Sequence, residues 1–528
     1  MKSWSALAAL IAVGAAGILF GACPADAQLS ECRRVRPRRE FRMLSGQERA
    51  NFIGAIRQLQ SGPKPTRYDR MVQIHWDASP GTHGYTQFFS WHRYFIRDFE
   101  RQLQEIDPNI MLPYWDWTYD SQAPEFSPIF SNNFMGGNGI NGCVRTGPFA
   151  TWSPMYPRRK CLERSFDRGN RLSAFYAPEQ LYAIMRNTFR FDELRRMVET
   201  PPHGLVHTSL GGDMNGMYSP NDPIFWLHHG FIDKIWSDWQ RMDNDKFWRY
   251  DGPNVDGTQA NHEDVLWPYQ VRVRDIMEVE RLCYYYEPFM PDRGFEVTRS
   301  DSHSIDTLSA VWVDEDVGEE RPHWRVALAQ QHRSAINANE TSVSLTVPDN
   351  DRTELVALRS PRALPEEWIR MNGHDVQQVR AAEAKLQRIL MGVNRLKHYI
   401  SPAALVRNEN VLRALAREMT EPTQARVAPG TLTVTIGGHQ RVLTVSLNAV
   451  KASATNNSSI KQASPGIAPD APARSSSPTP SRATPPASLT PSIRSQVEAL
   501  MGVSLADSVV RVSDELEKAI GPEAWQDA

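Results

Sequence analysis

A mainly α fold followed by a mixed α/β C-terminal region is predicted by three features of this 528-residue chain. Residues 88–106 and 221–242 carry apolar side chains at helical spacing over several turns. Histidines interrupt those apolar faces, where a bland core would have aliphatic or aromatic residues. After Pro288 the pattern shifts to short alternating runs that read as strands. The length leaves room for two or more domains.

The chain opens with Lys2, an apolar run from Ala6 to Phe20, and Ala25-Asp26-Ala27, a small-x-small cleavage pattern. Residues 1–27 are therefore expected to be a signal peptide, and the protein to be exported to the periplasm or beyond. The run is short for a membrane span, so none is expected. No twin arginine precedes it, and Phe20-Gly21-Ala22 ahead of Cys23 is a poor lipidation box. Removing the segment leaves Cys32, Cys143, Cys161 and Cys283. In an oxidising compartment these suggest two disulfides, with three connectivities open. A net charge of −2 offers no basic field for nucleic acid.

Residues 28–292 hold the main domain. Ser45 ahead of Gln47 and Glu48 signals a helix start. Residues 68–76 read as a second helix carrying His75, and Ser79-Pro80-Gly81 as a turn that leaves His83 in a loop. In 88–106, Phe88, His92, Phe95, Phe99 and Leu103 share one helical face, and Asp107-Pro108 ends it. Residues 111–117 form a short aromatic segment. The Gly-, Pro- and Arg-rich loop 134–164 is long enough to need a crosslink and holds two cysteines. Helices resume over 178–196 and at 203–207. In 221–242, Asp222 suits the N-cap and Pro223 the first helical position. Asp233, four residues after His229, stands on its face, where a carboxylate can orient an imidazole. The C-terminal region spans 293–451. It includes a strand-like run at 342–347, a helix over 375–400 and a hairpin over 431–447 around Gly437-Gly438. Residues 452–491, rich in Ser, Pro and Ala, read as a disordered linker, and 492–521 as a last amphipathic helix.

Six histidines fall into two triplets: His75, His83 and His92, then His203, His207 and one of His228 and His229. Imidazole-only ligation favours copper, zinc, iron or nickel, and three neutral imidazoles leave positions open on a metal. With no carboxylate or thiolate in either triplet, redox-active copper fits best. A lone core histidine is ordinarily a hydrogen-bonded structural residue, and an isolated HxxxH is weak evidence. Two triplets, each ending on a long apolar helix, are not explained that way.

HGYTQFFSWHRYFIRDFE, LPYWDW, PHGLVH and DPIFWLHH, in this order and spacing, resemble the tyrosinase and polyphenol oxidase family of type 3 copper proteins. The resemblance covers roughly residues 32–290 and is closest to short fungal and animal-type members. It extends to CRRVRPRREFRMLSGQER, to the cysteine loop GGNGINGCVRTGPFATW with Cys161-Leu162, and to Leu282-Cys283-Tyr284-Tyr285-Tyr286. It implies a four-helix bundle around two copper ions. His75, His83 and His92 would hold the first and His203, His207 and His229 the second; spacing alone leaves His228 and His229 open. It further implies an oxidase that uses O2 on small phenolic substrates, turning o-diphenols into o-quinones. Glu199, four residues before His203, matches a glutamate that holds a water acting as base on phenols in plant relatives. In several relatives a C-terminal domain covers the site, and the same is expected here.

Three positions depart from the family pattern. No cysteine lies just before His83, so the Cys–His crosslink of many plant and fungal members should be absent, as in bacterial ones. Gly204 stands where strong monophenol hydroxylases often carry Asn, and Thr208 where some relatives carry Arg or Leu. Gly204 is expected to leave extra room above the second copper and to weaken ortho-hydroxylation of monophenols. Two other uses of the same centre are weighed: an o-aminophenol oxidase, and a haemocyanin-like oxygen carrier, which the leader and the unlike tail disfavour.

Overall fold

The computed structural model describes residue 32 and residues 34–289, 342–346, 357–396, 401–404, 406–407, 430–436, 439–445 and 514–527. The expected signal peptide, most of 290–356, the linker 452–491 and residues 492–513 of the expected last helix lie outside these residues.

The described chain is mainly helical. α1 (Gly46–Leu59) and α2 (Arg67–Thr82) each begin with a capping box, Ser45 with Glu48 and Thr66 with Asp69. Each box satisfies two backbone donors that a helix start would otherwise leave bare. The expected turn at Ser79-Pro80-Gly81 is not a turn, and α2 runs through it to Thr82. Pro80 cannot donate to the Trp76 carbonyl, but the Ser79 hydroxyl does so at 2.8 Å, so the helix continues without an orphan acceptor. His83 is the residue that ends α2 rather than part of a free loop.

α3 (Gln87–Gln104) buries Phe88, His92, Phe95, Phe99 and Leu103, as the periodicity predicts. Each of its apolar side chains contributes about 2 kcal/mol by leaving water. α4 (Pro178–Asn187), α5 (Phe191–Val198) and α6 (Gly204–Leu210) follow. Between α5 and α6 the chain makes one wide turn, Glu199–His203. Pro201 and Pro202 lack the N–H that regular helical bonds would need there. α7 (Ile224–Met242) begins one or two residues later than expected, and Asp222 still accepts from the Ile224 N–H at 3.0 Å. α3 and α7 pack together through Phe99 and Trp226, stacked at 3.6 Å between ring centroids. The segment of residues 111–117 passes across α7, where a Cβ on Gly230 would stand 3.1 Å from the Pro113 carbonyl oxygen.

A buried ionic cluster ties the start and the end of this domain to α3 and α7. β1 (Arg36–Arg38) pairs in parallel with β2 (Tyr284–Tyr286), and Cys32 is bonded to Cys283. Arg38 reaches Glu100 at 2.8 Å and lies over the Tyr284 ring. Arg93 reaches Asp233 at 2.5 Å, and the Tyr284 and Tyr286 hydroxyls donate to the other Asp233 oxygen. The second disulfide, Cys143–Cys161, closes the long loop.

The described residues of the tail include both strands and helices. β3 (Ser342–Thr346), β4 (Gly430–Ile436) and β5 (His439–Val445) form one sheet, with β4 and β5 antiparallel across the Gly437-Gly438 connection. α9 (Val376–Asn394) packs on α4 and on the wide turn Glu199–His203, and α8 (Glu366–Met371) packs on α9. The chain ends in α10 (Asp514–Ile520) and α11 (Pro522–Asp527). No helix among the described residues is long and apolar enough to cross a membrane.

Candidate metal centre

Four helices deliver the histidines to one place. α2 carries His75 and is ended by His83, α3 carries His92, the wide turn and α6 carry His203 and His207, and α7 carries His228 and His229. One ring nitrogen each from His75, His83 and His92 falls within 4.8 Å of the others, and the same holds for His203, His207, His228 and His229. His92 and His229 stack at 4.4 Å between centroids, which sets the two groups side by side.

The backbone selects the tautomers. Nδ1 of His75 lies 2.6 Å from the Met217 carbonyl, that of His92 2.7 Å from Phe88, that of His203 2.7 Å from Glu199 and that of His207 2.6 Å from Met214. His83 Nδ1 stands 3.2 Å from the Ser79 carbonyl. A carbonyl only accepts, so each Nδ1 carries the proton and each Nε2 keeps its lone pair for a metal. His228 is different: the Trp117 indole N–H donates to its Nδ1 at 3.1 Å, so its proton belongs on Nε2. Nε2 of His203, His207 and His228 and both ring nitrogens of His229 are buried without a hydrogen-bond partner among the described residues, so His228 differs in its Nδ1 partner and not in burial. Burial pushes His207 down to about 4 and His75, His92, His203 and His229 well below their ordinary range, so all stay neutral at pH 7. Neutral, dry, convergent imidazoles with free lone pairs are a donor set that fits copper, as it fits zinc, iron or nickel.

Glu199 is buried beside this centre. Its Oε1 accepts from the Gly84 N–H at 2.6 Å and stands 3.3 Å from His374 Nε2; its Oε2 accepts from Arg195 at 2.8 Å. Burial pushes the carboxyl up, but His374 and Arg195 outweigh that and hold it at about 2. With His374 and Arg195 both beside it, Glu199 is held ionised.

Two expectations about neighbouring residues are overturned. Asp233 does not orient His229, because its oxygens are engaged by Arg93, Tyr284 and Tyr286 while His229 Nδ1 has no partner. In a dry core a carboxylate settles on a guanidinium in preference to a neutral ring. Gly204 does not open onto empty space either. A Cβ built there would stand 2.5 Å from the Trp368 ring and 3.2 Å from Leu364, both from the tail. The Trp368 indole lies 6.4 Å from the His203 ring, centroid to centroid. Thr208 spends its hydroxyl on the Leu205 carbonyl at 3.3 Å. Trp368 and His374 carry no signal in the sequence, because each reaches the centre across a long chain separation; Gly84 adjoins His83, but its bond to Glu199 is likewise made only by the fold.

The family described as the common central domain of tyrosinase matches residues 65–242. A tyrosinase of Aspergillus flavus is 32% identical over 288 residues, covering 48% of this chain and 80% of that protein. A tyrosinase of Streptomyces glaucescens is 34% identical over 224 residues, covering 38% of this chain and 80% of that one. A solved polyphenol oxidase variant from Thermothelomyces thermophila superposes with a TM-score of 0.40 at 24% identity, covering 48% of this chain and 89% of that one. With the relatives matched over four fifths of their length, this chain belongs to the tyrosinase family of type 3 copper oxidases.

Proposed function

We propose that this oxidoreductase holds two copper ions, one on His75, His83 and His92 and one on His203, His207 and His229. With them it oxidises o-diphenols to o-quinones by O2, and it hydroxylates monophenols less well. The observation that carries this reading is the set of Nδ1–H groups tied to backbone carbonyls, which frees Nε2 on five of the six proposed ligands. His228 is left out because its Nδ1 accepts from Trp117. When bound, the copper pair supplies the redox steps through which O2 takes electrons from the ring. The chain's own part is to keep the imidazoles neutral, exclude water and hold the incoming hydroxyl. Glu199, held by Arg195 on one oxygen, orients a proton-accepting water rather than taking the proton itself. Gly204 has no side chain to give that water a second hydrogen bond, which favours the more acidic o-diphenols. The leader and the two disulfides support an exported protein.

We also infer that residues 357–396 cover the centre, with Trp368 filling the space beside Gly204 and His374 engaging Glu199. Substrate then enters when this segment lifts, which also frees Glu199. The test is a kinetic panel of tyramine, dopamine, catechol and 2-aminophenol on the copper-loaded chain, before and after Trp368→Ala. Faster turnover of dopamine and catechol than of tyramine is expected. A preference for 2-aminophenol would make the enzyme an aminophenol oxidase, and O2 binding without turnover would make the protein a carrier.

A further inference from the structure

The last helices of the chain sit in a groove whose two walls have different origins. One wall is α4 of the catalytic domain and the other is α9 of the covering segment, and α10 and α11 pack against both. Leu516, Ile520 and Trp525 are buried there. From the catalytic wall, Asn187 Nδ2 donates to the Ile520 carbonyl at 2.8 Å. From the covering wall, the Lys385 ammonium lies 4.5 Å from the centre of the Trp525 ring. A Cβ on Gly392 of α9 would stand 3.3 Å from the Ala519 carbonyl oxygen, so the two backbones run close. The two walls also touch directly, through Gln180 Nε2 donating to the Leu386 carbonyl at 2.9 Å.

A wedge that bonds to both walls holds them together. α9 continues from α8 through residues 372–375, the stretch that carries His374, and α8 carries Trp368. Fixing α9 on α4 therefore fixes Trp368 beside Gly204. We propose that residues 514–527 are the lock of the covering segment: the partner of the α4–α9 groove is the chain's own terminus, and displacing it opens the metal centre. The proposal rests on the reading of residues 357–396 as a cover. It places the point of control at the end of the chain, remote from the histidines.

The test uses the full copper-loaded chain. Ile520→Asp sets a carboxylate in the groove, and Trp525→Ala is a milder change that removes one anchor. kcat/KM for catechol is read at matched copper content, together with amide hydrogen exchange across α9. Both variants should raise kcat/KM about tenfold or more, one decade for each roughly 1.4 kcal/mol of lost closure, and exchange across α9 should quicken. Adding Trp368→Ala to either should bring little further gain, because both changes remove the same barrier. If Trp368→Ala activates while Ile520→Asp and Trp525→Ala leave rate and exchange unchanged, the cover holds without the terminal pair and the lock is wrong. If Trp368→Ala has no effect, the cover itself is wrong and the lock falls with it. Should Ile520→Asp fail to fold, Trp525→Ala decides alone.

Discussion

The Trp368 ring occupies the space in which a side chain at Gly204 would begin, 2.5 Å from where its Cβ would stand. A tryptophan from the tail and the glycine next to His203 are thus fitted to each other, and a change at either acts on both. Gly204→Asn in the full chain should first expel Trp368 and raise all activities together. Its effect on substrate preference is to be read against Trp368→Ala. In that background, Gly204→Asn should raise the tyramine-to-dopamine ratio of kcat/KM several-fold, within the roughly 10²–10⁴ range of base assistance. An unchanged ratio at equal copper content would show that Gly204 does not set the preference.

The paired histidines of α7 should separate cleanly. His229→Ala is expected to halve the copper bound per chain, as is His92→Ala at the other site, each abolishing oxidation. His228→Ala should retain both coppers, since its Nδ1 is committed to Trp117. Elemental analysis of the purified variants decides. Full copper in His229→Ala with loss in His228→Ala would reverse the assignment.

Asp233→Asn should cost stability rather than metal. Removing the carboxylate leaves Arg93 buried without its charge partner, a loss of about 3–5 kcal/mol. For a domain of this size that is a fall in melting temperature of roughly 10 °C. Copper stoichiometry should stay the same. Lost copper at unchanged melting temperature would return Asp233 to the role of orienting His229.

Acid should destabilise the copper-free chain. Burial holds His207 at about 4 against an ordinary 6.5, so between these values the unfolded chain binds a proton that the folded chain does not. Stability then falls as pH drops through this window, by on the order of 3 kcal/mol from His207 alone. Urea unfolding of the copper-free protein at pH 7 and pH 5 measures it. Equal midpoints would mean that the ring is solvated.

What the sequence by itself determined is what depends on neighbours within a turn or two. The apolar faces of α3 and α7, the helix start at Ser45 and the β4–β5 hairpin follow from local periodicity and local hydrogen bonding. The two histidine groups were legible for the same reason, because helical spacing sets residues such as His203 and His207 on one face. Local rules also misled. A Ser-Pro-Gly run has turn propensity, yet Ser79 repairs the bond that Pro80 breaks and the helix goes on. An i,i+4 carboxylate can reach an imidazole, yet Asp233 turns to Arg93 from another helix. Only the tertiary structure decided which partner prevails, since that depends on which charges the fold brings into the same dry volume. It also decided what stands over Gly204. Trp368 is far away in the chain and ordinary in its own helix, and only the docking of the tail sets it beside His203.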